Sequence, residues 1–97
     1  MSDFGLTDKV LTSIIDIGKQ YGVNRITLFG SRARGDYKER SDIDLAVYGG
    51  NTEEFGIDVE EFVPTLLKFD VVHMDKPVQE DLVESIDREG VVIYEKI

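Results

Sequence analysis

The chain has 97 residues, no cysteine, one histidine, and 11 basic against 20 acidic side chains, for a net charge of −9. That length allows one domain over 1–97 and excludes two; the missing cysteines exclude disulfides and thiolate zinc sites, the lone His73 excludes a histidine-rich centre, and the acidic balance excludes tight nucleic-acid binding. No apolar run approaches the roughly 18 to 20 residues of a membrane span, and residues 1–9 have acidic groups and no apolar core, so no leader and no membrane partner are expected and the expected location is cytoplasmic.

Thr7 caps a first predicted helix, in which Val10, Leu11, Ile14, Ile15 and, less regularly, Ile17 fall at helical spacing. Gly22 stops it. Arg25 to Phe29 alternates and is rich in strand formers, which predicts a first strand. Gly30-Ser31 breaks that strand, and Ser31 to Arg34 starts a short helix that Gly35 ends. Asp42 to Tyr48 reads as the second strand, closed by Gly49-Gly50. Thr52 caps a third helical segment, with Phe55, Val59, Phe62 and Val63 inward and Pro64 near its end. Phe69 to Met74 is a third strand. Pro77 opens a last helix with Leu82, Val83 and Ile86 inward, Gly90 occupies its C-terminal cap, and Val91 to Tyr94 is a fourth strand. Helices alternate with strands, so the expected class is α+β (or α/β), one mixed sheet of about four strands covered by helices.

The chemistry is concentrated between Leu28 and Val47. Residues i and i+2 of a strand share a face, so Asp42 and Asp44 project side by side, roughly 6 to 7 Å apart along the strand. Two carboxylates at about 5 Å repel by roughly 3 kcal/mol at an effective dielectric of 20. A hard divalent cation removes that repulsion, and oxygen ligands select magnesium, calcium or manganese. Taken alone, the pair also fits a loop-capping Asp42 and an exposed Asp44. Asp70 stands inside an otherwise apolar strand, where a carboxylate needs a partner; it either faces the same site or lies at the strand edge in water. His73, a lone strand histidine, is left out of the site.

Gly30-Ser31 sits where a strand gives way to a helix. Glycine permits close backbone approach, and the N–H groups of the next turn with the Ser31 hydroxyl make an anion site; a plain turn is the other reading. Arg32 and Arg34 supply charge for phosphate. Residues 25–40 carry five basic and two acidic groups, net +3, within a chain that is otherwise −12. Such an island suits a small anion better than a polymer. Gly30 and Gly35 match the first half of a P-loop, but Asp36-Tyr37 follows in place of Lys-Ser/Thr, so that reading fails. Phosphate cradle, carboxylates and positive rim together are what phosphoryl or nucleotidyl transfer requires.

Gly30-Ser31, ten residues, then Asp42-Ile43-Asp44 resembles the signature of the polymerase-β-type nucleotidyltransferase superfamily. Leu28 to Gly35, Ser41 to Leu45 and the closing Glu89 to Tyr94 are similar to its minimal nucleotidyltransferase branch, over nearly the full chain. The resemblance implies that Asp42, Asp44 and Asp70 bind two magnesium ions (manganese substituting), with Asp70 helping to activate an acceptor hydroxyl. It implies that Gly30 and Ser31 hold the β- and γ-phosphates of ATP, with Arg32, Arg34 and Ser41 as further nucleotide contacts. Members of this branch often accompany a HEPN-domain ribonuclease toxin and act as its antitoxin by adenylylating a tyrosine, so such a partner is implied here. Larger relatives carry a further domain that binds acceptor or base; the chain is read as lacking one, so the acceptor is expected from a partner. Two other readings stay open, an antitoxin that only masks its toxin and an aminoglycoside-type small-molecule adenylyltransferase, and so does self-association into a homo-oligomer.

Overall fold

A computed structural model describes residues 2–97, without the side chain of Ser2; Met1, the first residue of the stretch read as leaderless, lies outside the described residues. The elements in chain order are β1 (Ser2–Asp3), β2 (Leu6–Thr7), α1 (Asp8–Gln20), β3 (Arg25–Phe29), α2 (Ser31–Arg34), β4 (Ile43–Tyr48), α3 (Thr52–Phe62), β5 (Phe69–His73), α4 (Glu80–Glu89) and β6 (Val91–Glu95). The main sheet has the order β5-β4-β3-β6. It is mixed: β4 runs parallel to β5, and β3 is antiparallel to both β4 and β6. The alternation of elements read from the sequence is therefore the fold, with one addition at the start.

The parity of each strand decides what its faces meet. Ile26 and Leu28 of β3 and Ile43, Leu45 and Val47 of β4 point to one side, where α1 contributes Val10, Ile14 and Ile17 and α3 contributes Phe55 and Val59. All but Val10 and Ile17 in that set are fully buried. The other side is thinner. Phe29, Ala46 and Ile86 form a small second core, with Tyr48, Val72, Met74 and Leu82 packed around it. One helix, α4, covers that face, so a face that starts polar at the β4 and β5 origins is left open where α4 stops. Arg34 Nη1 reaches across to Glu89 Oε1 at 2.9 Å, which fixes the end of α4 against α2.

Several boundaries depart from the sequence reading. Thr7 caps α1 as expected, its hydroxyl accepting from the Val10 N–H. Asn51, not Thr52, caps α3, accepting from the Glu54 N–H; Thr52 is buried and its hydroxyl meets His73 Nδ1 at 3.0 Å. Phe62, placed inward by spacing, is 64% exposed, because α3 ends there and Val63 takes the inward position. Helix α4 starts at Glu80 after a Gln79 cap, three residues beyond Pro77, and only Ile86 of its three expected inward residues is fully buried. Gly90 ends α4 with φ −70°, so it supplies no left-handed cap. Its missing Cβ matters for another reason: a side chain there would press on Ile86 O and Thr27 Cγ2.

The β1–β2 hairpin was not expected. Its turn residues Phe4 and Gly5 have φ of 59° and 70°, the positive angles of a tight hairpin turn that normally selects Asn or Gly. Phenylalanine gives no such signal. The hairpin is held instead by long-range contacts: Leu6 is 2% exposed, and the Phe4 carbonyl accepts from Arg32 Nη1 at 3.0 Å.

Candidate active site

Strand register assembles the carboxylates. Asp44 is the second residue of β4 and pairs in register with Asp70, the second residue of the parallel neighbour β5. Register partners share a face of the sheet. On its other side Asp44 pairs with Phe29, the last residue of β3, immediately before the Gly30-Ser31 turn. The sheet therefore places Asp44 between the turn and Asp70. Asp42 lies one residue before β4, exposed, where the sequence reading had put it inside the strand. Val71 and His73 belong to the opposite parity, and His73 faces Thr52 on the α3 side.

The Asp44 carboxyl responds to both of these aspartate neighbours. The Asp44 carboxyl is pushed up to about 6, first by burial, then by the charge of Asp70, then by that of Asp42. Arg34 and then Arg32 pull it back without cancelling the rise. The site as it stands is short of positive charge. Its donors are carboxylate oxygens, the kind a hard divalent ion takes. Among the described residues no three carboxylates or imidazoles are gathered closely enough to hold a metal ion by themselves. What fits is an open site of the magnesium type, in which one or two carboxylates hold the ion and substrate phosphates complete its shell.

The turn is built against this carboxylate. Gly30 has φ 75° and ψ −157°, a region essentially restricted to glycine, and a Cβ there would overlap Asp44 Oδ2. The backbone at residue 30 thus passes as close to Asp44 as a chain can. Gly30 caps α2 without a side-chain hydrogen bond, Ser31 is its first residue, and the first N–H groups of this turn have no intrahelical acceptor. Gly30→Ala is expected to combine backbone strain with that overlap and to lower stability by about 2 to 4 kcal/mol. Urea denaturation followed by far-ultraviolet dichroism checks this; a midpoint equal to that of the parent would contradict it.

The basic residues divide. Arg32, expected as a phosphate contact, is turned inward. It is 2% exposed, and its guanidinium donates to the carbonyls of Phe4, Glu39 and Ser41. Tyr37 lies over it with 5.1 Å to the ring centroid. Ser41 is likewise a loop-builder: its carbonyl receives Arg32 and its hydroxyl accepts from the Lys38 N–H at 2.8 Å. Arg34 is exposed and paired with Asp36 and Glu89, yet close enough to lower the Asp44 carboxyl. The sequence offered no means of telling the inward arginine of Ser-Arg-Ala-Arg from the outward one, and nothing in it marked Glu89 as the residue that anchors Arg34.

A family model described as polymerase beta, nucleotidyltransferase matches residues 12–97. Protein adenylyltransferase MntA of Thermococcus cleftensis is 41% identical over 54 residues, covering 56% of this chain and 43% of that protein. A Methanocaldococcus jannaschii relative, provisionally named a protein adenylyltransferase, is 46% identical over 50 residues, covering 52% of this chain and 48% of its own. The chain thus spans about half the length of these curated relatives. A solved toxin-antitoxin crystal structure with AMP-PNP superposes with a TM-score of 0.70 at 21% identity, over 89% of this chain and 73% of that one. At that identity the likeness concerns the fold. No helix among the described residues is long and apolar enough to cross a membrane.

Proposed function

Since the chain belongs to the polymerase beta nucleotidyltransferase family, we propose that it transfers AMP from ATP to a hydroxyl of a partner protein, a tyrosine of a HEPN-type toxin, and so acts as an antitoxin. The observation that carries the reading is the placement of Gly30, just past the end of β3, against Asp44 of β4, which pairs with Asp70 of β5. The names of the curated relatives, protein adenylyltransferases, support it.

In this reading each residue has a distinct task. The N–H groups of the Gly30-Ser31 turn and the Ser31 hydroxyl hold the terminal phosphates, with Arg34 adding charge at the rim. Asp42, Asp44 and Asp70 would hold magnesium, which when bound neutralises triphosphate charge and makes the acceptor hydroxyl more acidic. The acceptor oxygen bonds to the α-phosphorus as the bond from that phosphorus to the bridging oxygen breaks. Pyrophosphate departs toward the turn, and the hydroxyl proton passes to the Asp70 carboxylate. Asp70, exposed at the outer strand β5, is the member of that pair open to an incoming partner.

The test is label transfer from α-labelled ATP, with magnesium, to a co-purified HEPN-type protein. Label is expected on a tyrosine with the parent and not with Asp70→Asn, whose folding is checked by dichroism. Undiminished transfer by Asp70→Asn would sink the catalytic reading. Neutralisation of the toxin by the unlabelling variant would favour masking instead.

A further inference from the structure

A cleft of about 470 Å³ opens beside Asp42, which lines it with Glu39, Arg40, Leu66, Leu67 and Lys68. It lies between the loop that leads into β4 and the turn that leads into β5, and Lys68 precedes Asp70 by two residues. We propose that this cleft seats the acceptor segment of the partner protein, and that it selects a hydroxyl-bearing residue, such as tyrosine, flanked by acidic side chains. The inference rests on the nucleotidyl-transfer reading, because it assigns the remaining half of the same site.

The direction of transfer places the acceptor there. An in-line displacement at phosphorus needs the attacking oxygen opposite the leaving one. With the terminal phosphates at the Gly30-Ser31 turn, pyrophosphate leaves on the β3 side. Strand β4 separates β3 from β5, so the attacker enters from the β5 side, where the cleft opens.

The lining describes the occupant. Leu66 is fully exposed, and Leu67 beside it is half-buried. Together they offer an apolar floor to an aromatic ring. Arg40 and Lys68 form no ion pair among the described residues, in a chain of net charge −9. Once Asp42 is engaged with the metal, Glu39 is the one carboxylate left in the lining of this cleft. An anionic group next to the acceptor hydroxyl would satisfy Arg40 and Lys68.

Three fluorescent peptides decide it, each carrying one tyrosine flanked by glutamates, serines or lysines. Their binding to the full chain is read by anisotropy with manganese present and without nucleotide, and Mn–ATP binding is read separately by calorimetry. The acidic peptide is expected to bind about tenfold tighter than the basic one, against the overall charge of the protein. Arg40→Glu with Lys68→Glu should reverse that order, and Leu66→Ser should weaken all three peptides alike, while Mn–ATP affinity stays at the parent value in both. Equal binding of the peptides, or no binding of any, overturns the proposal. So does a loss of Mn–ATP affinity in either variant, since the cleft would then belong to the nucleotide. A parent protein that takes up no Mn–ATP strikes the nucleotidyl-transfer reading alone, because the peptide ranking is read without it.

Discussion

Asp44→Asn is expected to lower adenylyl transfer on the order of 10³-fold while raising the stability of the metal-free protein at neutral pH. The two effects have one origin. In the folded chain the Asp44 carboxyl stands at about 6, above its ordinary 3.8, because it is half-buried between Gly30 and Asp70 with Asp42 nearby. The folded state therefore binds this proton more tightly than the unfolded state. The resulting contribution to stability is complete below the unfolded value and is lost as pH rises through about 6. At neutral pH the ionised group costs about 1 to 2 kcal/mol, after allowance for solvent screening of a half-exposed carboxylate. Asparagine has nearly the same shape and no charge, so it removes the cost. Thermal midpoints in chelator should favour the variant above about pH 6, with the gap closing toward about pH 4. Manganese should raise the parent midpoint at neutral pH and leave the variant nearly unmoved. A variant less stable than the parent at neutral pH, or a gap independent of pH, would refute the account.

That coupling explains which parts of the site were legible in the sequence. Asp42 and Asp44 at an apolar strand start, and Asp70 within Phe-Asp-Val-Val, are costly placements, and costly placements are visible because local rules disfavour them. The way they come together was not visible. It depends on β5 lying next to β4, parallel and in a register that sets residue 70 opposite residue 44. Periodicity within a strand says nothing of its neighbour. The strands and the first helix were legible for the opposite reason: Ile26 and Leu28, or Val10 and Ile14, repeat at the period of their element and meet one core. Failures came where a single contact outweighed pattern. Thr52 gave up the α3 cap because its hydroxyl meets His73, and Asn51 was one residue away to replace it. The Phe4-Gly5 turn was unreadable because its stabilising partners lie in α2 and the following loop.

Arg32 is the sharpest such case, and substituting it should have the largest effect on stability. Its guanidinium donates to Ser41 O at 2.8 and 3.0 Å, to Phe4 O at 3.0 Å and to Glu39 O at 3.3 Å. Two segments far apart in sequence thus share one planar group: the β1–β2 hairpin, through Phe4, and the 35–42 loop, through Glu39 and Ser41 on its approach to Asp42. Tyr37 closes over it and also approaches Gly5. Removing the group leaves carbonyls without donors beside a vacated space. Arg32→Ala is expected to cost about 3 to 5 kcal/mol. Arg32→Lys separates two roles, since it keeps the charge and loses the fork. A residue that held phosphate as a cation would tolerate lysine with an unchanged midpoint and a raised KM for ATP. A residue that joins the hairpin to the loop should lose about 2 to 3 kcal/mol with lysine, with faster amide exchange at Leu6 and through residues 36–41. An Arg32→Lys protein that unfolds at the parent's urea midpoint would return Arg32 to the phosphate rim. The expected loss would instead show that the positive island read from the sequence spends one of its charges in holding the loop that brings Asp42 up to Asp44.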